Sequence, residues 1–199
     1  MDRERIPVVL TRGVFNLEME EDTRLVERYR NGDNDAIEEL VMKYQKQMYA
    51  FVYRIVNDQE EAKDLTQKTF LKAFNAIGSF RNDASFKTWL YKIAMNTTLS
   101  HFTKNKQRGT ETELHESLIG SQAGALSLVI KKERMDYLRK SLGALPERQR
   151  LAIILRAYEG LSCKETAAVM GCSEGTVKAH YHAAVKGLRE ILKERGYEF

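Results

Sequence analysis

Residues 162–188 read SCKETAAVMGCSEGTVKAHYHAAVKGL, and this stretch predicts a helix-turn-helix. Ser162 and Glu165 have the S-x-x-E spacing of a capping box, which begins a first helix. Gly171 falls where that helix must end in a sharp turn, because glycine adopts positive φ at little cost. Ser173 is placed to cap a second helix. This arrangement favours the motif over an ordinary helical hairpin.

The second helix of this motif separates apolar from polar positions. Its buried face is predicted to carry Val177, Tyr181, Ala184, Val185, Leu188 and Leu192. The candidates for DNA contact lie at its start and on its opposite face: Ser173, Thr176, Lys178, Ala179, His182, Lys186 and Arg189. A recognition helix reads the major groove with its first turns, so we expect Lys178, Ala179 and His182 to face bases. Lys186 and Arg189 are expected to face phosphates.

The histidines and cysteines near this motif do not have the spacing of a metal site. His180 and His182 are two residues apart, so on a helix they point about 200° away from each other. Cys163 and Cys172 are interpreted as small buried apolar residues, and two cysteines are too few for a disulfide framework. The sequence therefore predicts no metal ion, no cofactor and no catalytic residue.

Outward from the motif, the chain divides into a linker and two helical segments. Pro146 follows Leu145 and is predicted to occupy the first position of a helix. Residues 109–127 are polar and rich in Gly, Ser and Thr without a steady period, which indicates a flexible linker. We expect an all-α fold of two small helical domains, residues 19–108 and 128–199, with residues 1–18 as an N-terminal extension.

The N-terminal domain has the three-and-four spacing of amphipathic helices. A first helix, capped by Asp33, is predicted to bury Ile37, Leu40, Val41, Tyr44, Met48, Phe51, Val52 and Ile55. Asp58 and Glu61 have capping-box spacing and predict a second helix over about residues 59–77 that ends at Gly78. The apolar positions of this second helix are Ala62, Leu65, Phe70, Ala73 and Phe74.

Residues 79–108 come next and combine six Lys or Arg with a single Asp. Ser85 is predicted to cap a helix here that runs to about Lys104. Five aromatic residues are threaded among the cations: Phe80, Phe86, Trp89, Tyr91 and Phe102. Aromatic rings interleaved with cations suit single-stranded nucleic acid, because bases stack on the rings. The alternative is an aromatic core beneath solvated cations, and we interpret Trp89 in that way.

The net charge of the chain is only +4, but its charges are unevenly distributed. Residues 18–64 have a net charge of −6 and residues 109–130 of −3, whereas residues 78–108 and 131–199 each have +5. This asymmetry points to nucleic-acid contact by two basic segments, while the acidic front faces a different partner. The chain has no apolar run of spanning length and no apolar signal core, so we expect a cytoplasmic protein without membrane insertion.

Three stretches of this sequence, in this order, resemble those of a bacterial sigma factor of the extracytoplasmic-function (ECF) group. Residues 60–80 (EEAKDLTQKTFLKAFNAIGSF) resemble the region that binds the polymerase clamp and begins promoter melting. Residues 86–102 (FKTWLYKIAMNTTLSHF) resemble the segment that reads the minus-ten element. Residues 145–189 resemble the reader of the minus-thirty-five element. The resemblance implies a subunit that gives RNA polymerase its promoter specificity, and not an enzyme.

The resemblance also implies roles for individual residues. Asp64 and Gln67 match the polar pair that contacts the coiled coil of the polymerase's largest subunit. Lys68 belongs to the same contact, but it stands where the family usually has Glu. Other positions match the pocket for a base flipped out of the minus-ten element, or are cations expected along the opened strand: Ala76, Phe80, Lys87, Lys92, Asn96 and Lys104.

The partners implied by the resemblance are core RNA polymerase, through its clamp and flap, and promoter DNA, both double-stranded and melted. An anti-sigma factor is also implied, and a membrane-anchored one would hold the protein at the inner face of the membrane. Residues 1–18 lie outside the resemblance. We therefore expect that their removal leaves the binding of core polymerase intact.

Two other classes of function compete with this one. Residues 173–188 alone resemble the C-terminal helix-turn-helix of a response-regulator or quorum-type activator, which acts without being a polymerase subunit. Residues 20–108 lack the alternating strands and helices of a receiver domain, which argues against that class. A hydrolase needs convergent acids, and pairs such as Asp33 with Asp35 instead sit at helix starts, where the helix dipole favours acids.

Overall fold

The structure, a computed structural model, describes the backbone of residues 8–107, 137–138 and 140–194. Side chains are described for residues 17–103, 137–138 and 140–194. Every regular element within these ranges is helical, which confirms the all-α fold class. The predicted linker over residues 109–127 lies outside the described residues.

Over residues 8–107, the N-terminal domain contains four α-helices and one short turn of 3₁₀ helix. The elements are α1 (Val8–Arg30), α2 (Asp35–Val56), α3 (Gln59–Ala76), the 3₁₀ turn (Ile77–Ser79) and α4 (Phe86–Gln107). Helices α2 and α3 form an antiparallel hairpin, because only Asn57 and Asp58 separate them and Asn57 adopts a left-handed φ of 57°. Helix α4 packs against both. The boundary expected after residue 18 falls inside α1, which is continuous there.

The C-terminal domain contains the helix-turn-helix. Residues 140–143 are helical and precede α5 (Glu147–Ile153), a π-helical turn (Ile154–Tyr158), α6 (Cys163–Met170) and α7 (Glu174–Lys193). Gly171 ends α6 with a φ of 63°, the left-handed conformation that its position predicted. Helices α6 and α7 therefore form the predicted motif.

Helix caps are largely those that the sequence predicts. Ser162 accepts a hydrogen bond from the backbone N–H of Glu165 at 3.2 Å, and the Glu165 carboxylate accepts one from the Ser162 N–H at 2.7 Å. Asp58 accepts from the Glu61 N–H at 2.8 Å. The Glu61 carboxylate does not complete the second capping box, because it pairs with His101 of α4. That capping box is therefore one-sided.

Two predicted helix starts are each displaced by one residue. Asn34, and not Asp33, occupies the N-cap position of α2. The Asp33 carboxylate still accepts from the Asp35 N–H at 3.1 Å, and an ion pair with Arg28 at 2.7 Å holds it there. Pro146 is the N-cap of α5 and not its first helical residue, because its ψ of 140° is extended.

The N-terminal core is built on the predicted apolar stripe. Six of the eight apolar positions predicted for α2 are buried, whereas Ile37 and Val41 are half-buried. Helix α1 adds Leu25 and Val26, and the buried Asp22 carboxylate accepts a hydrogen bond from Lys43 at 2.8 Å. This ties α1 to α2 through both apolar and polar contacts.

The two domains are in contact, which the sequence did not predict. Helix α6 packs against α4, and apolar side chains of the C-terminal domain such as Leu161 and Met170 belong to the same buried cluster as the N-terminal core. A smaller separate cluster lies between the start of the C-terminal domain and α7, and it includes Leu142, Ala184 and Leu188.

Candidate nucleic-acid interface

A pocket of about 240 Å³ opens where the 3₁₀ turn leads into α4. Its lining combines the aromatic rings of Phe80 and Trp89 with the cations Arg81 and Lys92 and one acid, Asp83. Ala168 of α6 also lines the pocket. Pockets for drug-sized ligands measure about 300–1,000 Å³, so this one suits a smaller group. Rings for stacking beside cations for phosphate are the features of a single-strand site.

The aromatic residues of this pocket form one packed group. The centroids of the Phe80 and Trp89 rings lie 5.2 Å apart, and Phe80 meets Phe86 edge-on at 5.8 Å. Phe80 is buried, whereas Trp89 is half-buried. Trp89, interpreted from the sequence as core, therefore packs on the core and lines the pocket as well.

The other predicted minus-ten residues whose side chains are described do not line the pocket. Asn96 is exposed, and Ala76 and Lys87 are half-buried, but none of the three lines the pocket. The structure thus brings Phe80 and Lys92 together. The Lys104 side chain lies outside the described residues.

Arg30 is a residue that sequence reasoning missed. Its guanidinium, at the end of α1, donates hydrogen bonds to the carbonyl oxygens of Ile77 at 2.8 Å and of Phe80 at 2.5 Å. These carbonyls end α3 and its 3₁₀ turn, where the helix dipole favours a cation. Arg30 therefore fixes the backbone that carries Phe80. The partners are 47 and 50 residues apart in sequence, which is why no local pattern reveals the contact.

The recognition helix α7 presents its predicted DNA-contacting residues to solvent. All seven are exposed: Ser173, Thr176, Lys178, Ala179, His182, Lys186 and Arg189. Val177, Ala184 and Leu188 form the buried face, while Tyr181, Val185 and Leu192 are half-buried. Lys186 is nearly free of partners, with its side chain 80% exposed and its Nζ 4.0 Å from Glu190.

Two of these seven residues also build the helix start. The Ser173 hydroxyl accepts from the Thr176 N–H at 3.1 Å, and the two hydroxyl oxygens lie 2.9 Å apart. Their first role is therefore capping α7. Any contact that they make with DNA uses the hydrogen-bonding capacity that remains.

The face predicted to bind polymerase lies on α3. Asp64, Gln67 and Lys68 are all exposed, and the Lys68 ammonium forms an ion pair with the Asp64 carboxylate one turn before it. Leu71 follows on the same face of the helix with 63% of its surface exposed. An exposed apolar side chain beside a neutralised pair of charges is a surface that a partner protein can cover.

Two family models match the two domains. Residues 40–108 match Sigma-70 region 2, and residues 135–188 match Sigma-70 region 4. The RNA polymerase sigma-H factor of Pseudomonas aeruginosa is 36% identical over 191 residues, which cover 89% of this chain and 99% of that protein. The ECF RNA polymerase sigma-E factor of Escherichia coli K12 is 36% identical over 172 residues, covering 82% and 90%. The chain belongs to the ECF sigma factors of the sigma-70 family.

Solved structures agree with the fold of this sigma factor. The sigma factor RpoE of Bartonella quintana, in complex with the anti-sigma factor NepR, superposes with a TM-score of 0.67 at 28% identity, covering 78% of this chain and 96% of that one. CnrH, in complex with the cytosolic domain of CnrY, gives a TM-score of 0.67 at 22% identity, covering 87% and 98%. The second likeness concerns the fold alone.

The described residues of this sigma factor contain neither a membrane-spanning helix nor a metal-binding cluster. None of their helices is both long and apolar enough to cross a membrane. No group of three or more His, Cys, Asp or Glu side chains among them is arranged to hold a metal ion. Cys163 and Cys172 are free thiols, both half-buried, next to the turn of the helix-turn-helix.

Proposed function

We propose that this sigma factor binds core RNA polymerase and directs initiation at promoters with two DNA contacts. The N-terminal domain reads and holds open the minus-ten element, and α7 reads the minus-thirty-five element. The proposal is carried by one observation: an aromatic, basic pocket and an exposed recognition helix occur in the order of the two family matches. Because both sites are on one chain, the second contact is effectively intramolecular, so each domain can bind weakly alone. This role requires no catalytic residue.

Melting of the minus-ten element tests the N-terminal part of this proposal. Lys92 is exposed and lines the pocket, so Lys92→Ala removes a cation without disturbing the core. The variant is expected to lower the permanganate reactivity of unpaired thymines in the polymerase–promoter complex. Lys46→Ala, an exposed lysine of α2, is the matched control and should leave reactivity unchanged. Equal permanganate reactivity for Lys92→Ala and wild type would show that this pocket does not hold the melted minus-ten strand.

The proposed contact with polymerase uses Asp64, Gln67 and Lys68 on α3. Support comes from their exposure on one face and from the exposed Leu71 beside them. Alanine at Asp64 and Gln67 together is expected to weaken binding of core polymerase about tenfold, the size of a moderate interface hot spot. Equilibrium titration of labelled chain with core polymerase measures this. Unchanged affinity for core polymerase would show that the contact does not use Asp64 and Gln67.

We further propose an anti-sigma partner and a cytoplasmic site of action. The similar RpoE structure is a complex with an anti-sigma factor, which supports the first part. The second follows from the role itself, since promoter DNA and polymerase are in the cytoplasm. An anti-sigma factor with a membrane anchor would place the protein at the inner face of the membrane. Fractionation of cells that express tagged chain, with and without the partner gene, tests the location.

A helix-turn-helix activator that acts without being a polymerase subunit is not favoured. The described residues of the N-terminal domain are all helical outside short turns, whereas a receiver domain needs a parallel sheet. The match of residues 40–108 to Sigma-70 region 2 supports a polymerase-binding role instead.

A further inference from the structure

The loop that forms much of the pocket has few contacts of its own. Residues 80–85, here called the pocket loop, connect the 3₁₀ turn to α4. Most of them line the pocket: Phe80, Arg81, Asp83 and Ala84. Residues 81–84 are exposed, and none of them forms a backbone–backbone hydrogen bond with another described residue. Exposed segments without such bonds have low local stability. The shape of the pocket loop therefore depends on what holds its two ends.

Asn82, in the middle of the pocket loop, adopts a backbone conformation that is uncommon for residues other than glycine. Its φ is 60°, in the left-handed region. Asparagine tolerates this region better than most residues do, but a strained conformation persists only where the surrounding structure imposes it. Such positions cluster at active sites and ligand clamps. The pocket loop is thus held in a shape that its own backbone does not favour.

The end of the pocket loop is fixed by Ser85, which caps α4. The Ser85 hydroxyl accepts a hydrogen bond from the Thr88 N–H at 3.1 Å, and its carbonyl accepts one from the Trp89 N–H at 3.0 Å. Thr88 and Trp89 both line the pocket. This end of the loop is therefore anchored locally, by the first turn of the helix that follows it.

The start of the pocket loop is held from a distance, by Arg30 of α1. The Arg30 Nη2 atom lies 2.8 Å from the Ile77 carbonyl oxygen, 3.4 Å from that of Gly78 and 2.5 Å from that of Phe80. The Phe80 N–H also bonds to the Ile77 carbonyl, at 3.2 Å. Arg30 thus joins both ends of the turn that leads into the loop. A charged donor makes these bonds stronger than neutral ones.

The end of α1 that carries Arg30 is itself held by other contacts. Leu25 and Val26 are buried in the N-terminal core, and Arg28 forms ion pairs with Asp33 and Glu39 at 2.7 and 2.9 Å. None of these contacts involves the pocket loop. Substitution of the exposed Arg30 should therefore release the loop and leave α1 in place. Residue 30 also lies outside residues 40–108, which match Sigma-70 region 2.

We propose that Arg30 is a positioning residue for the minus-ten pocket. It acts through the carbonyl oxygens of Ile77 and Phe80, and it does not contact DNA. By fixing the start of the pocket loop, it forms the pocket before a strand arrives, so binding requires less ordering of the loop. The effect on DNA rests on the proposed function, because it assumes that this pocket receives a strand. The hold on the loop does not depend on that function.

Solvent exchange of the Phe80 backbone amide measures the hold on the loop in the full chain by NMR. In Arg30→Gln this amide should exchange about tenfold faster, the lower end of what a hydrogen bond to a charged group contributes. The Asn57 amide, bonded to the Tyr53 carbonyl at 2.8 Å, should keep its wild-type rate. An unchanged rate at Phe80 would overturn the positioning role. Equal acceleration at Phe80 and Asn57 would also overturn it, because that indicates a general loss of stability.

Arg28→Gln is the matched control, since it removes the same charge from the same end of α1. The ion pairs that it breaks are on the surface, where such pairs contribute little. Exchange at both amides should therefore stay at the wild-type rate in this variant. Acceleration at Phe80 in Arg28→Gln as large as in Arg30→Gln would assign the effect to charge alone and overturn the role of Arg30.

Strand binding is measured separately, by fluorescence anisotropy with a labelled pool of random single strands of about 12 nucleotides. Arg30→Gln should bind this pool about fivefold more weakly than Arg28→Gln, the lower end of what one base stacked on an aromatic ring contributes. The slope of log affinity against log salt should be the same for both variants. A slope lower by about 0.7 for Arg30→Gln would show that Arg30 contacts a phosphate, which overturns its positioning role.

The remaining outcomes separate the parts of the proposal. Faster exchange at Phe80 with unchanged strand affinity would overturn the role of Arg30 in DNA binding and leave its hold on the loop in place. Failure of the proposed function would appear differently: core polymerase would give no transcripts that depend on the chain, while exchange at Phe80 would still respond to Arg30→Gln.

Discussion

Lys186 offers a direct test of how α7 meets DNA. Its side chain is 80% exposed, and its only ion-pair contact in the described residues is Glu190 at 4.0 Å, so Lys186→Ala should leave the fold unchanged. If Lys186 contacts one phosphate, its loss reduces the slope of log affinity against log salt by about 0.9. Between 50 and 200 mM salt, the affinity ratio of wild type to variant then shrinks by about 3.5-fold.

The assay is fluorescence anisotropy of the full chain on a random-sequence DNA duplex, because phosphate contacts do not depend on sequence. Lys46→Ala removes the same charge from an exposed site on α2 and serves as the control. It should lower the slope much less, since it lies in the other domain. A slope for Lys186→Ala equal to that of wild type would refute the phosphate contact, even if the affinity itself fell.

Three predictions concern stability, each measured by urea unfolding. Burial and a hydrogen bond to the Asp22 carboxylate raise the pKa of the Tyr44 hydroxyl above its ordinary value. The folded chain therefore keeps a proton that the unfolded chain loses above about pH 10. Stability should fall above that pH, and Tyr44→Phe should reduce the fall by about 1.4 kcal/mol per pH unit; an unchanged slope argues against a raised pKa. Asp58→Ala should cost about 1 kcal/mol as a lost N-cap, whereas Asp58→Asn should cost much less. Gly171→Ala should cost about 1–2 kcal/mol from φ alone, since an added Cβ meets nothing within 4 Å, and no loss would contradict the left-handed turn.

Local features of this fold could be predicted from the sequence because they depend on neighbouring residues. The Ser162 capping box, the turn at Gly171 and the cap at Ser173 each join residues no more than a few positions apart, and all three are confirmed. The apolar stripe of α2 was equally readable, since the three-and-four spacing directly reports one helix face. Helix starts were harder to predict, since α2 and α5 each begin one residue later than predicted from Asp33 and Pro146.

Long-range polar contacts were beyond sequence reasoning. Glu159 of the C-terminal domain accepts hydrogen bonds from Arg54 of α2 and Tyr91 of α4 across 105 and 68 residues, so nothing near Glu159 in the sequence reveals this contact between the domains. Arg30 is a comparable case. In the sequence it is only an arginine at the end of a helix, because the Ile77 carbonyl that it contacts is 47 residues away. Glu61 has capping-box spacing but its carboxylate pairs with His101, because tertiary packing brings the imidazole on α4 into contact with it.

In the candidate site, too, local features were predictable from the sequence and contacts between distant segments were not. The exposed face of α7 follows from helical period alone, and its seven predicted residues are exposed. The pocket at Phe80 depends on how three segments meet, and there the sequence identified Phe80 and Lys92 but placed Trp89 in the core only. The roles of all these residues in DNA contact remain predictions until variants are tested.

Run-off transcription tests directly whether the chain makes core RNA polymerase initiate at promoters. Purified core RNA polymerase is incubated with a genomic library of templates, with and without the full chain. We expect discrete transcripts that require the chain, and these should weaken with alanine at both Asp64 and Gln67 but not with Lys46→Ala. Absence of any chain-dependent transcript, with core polymerase shown to be active with another sigma factor, would contradict a role of this chain in promoter-specific initiation.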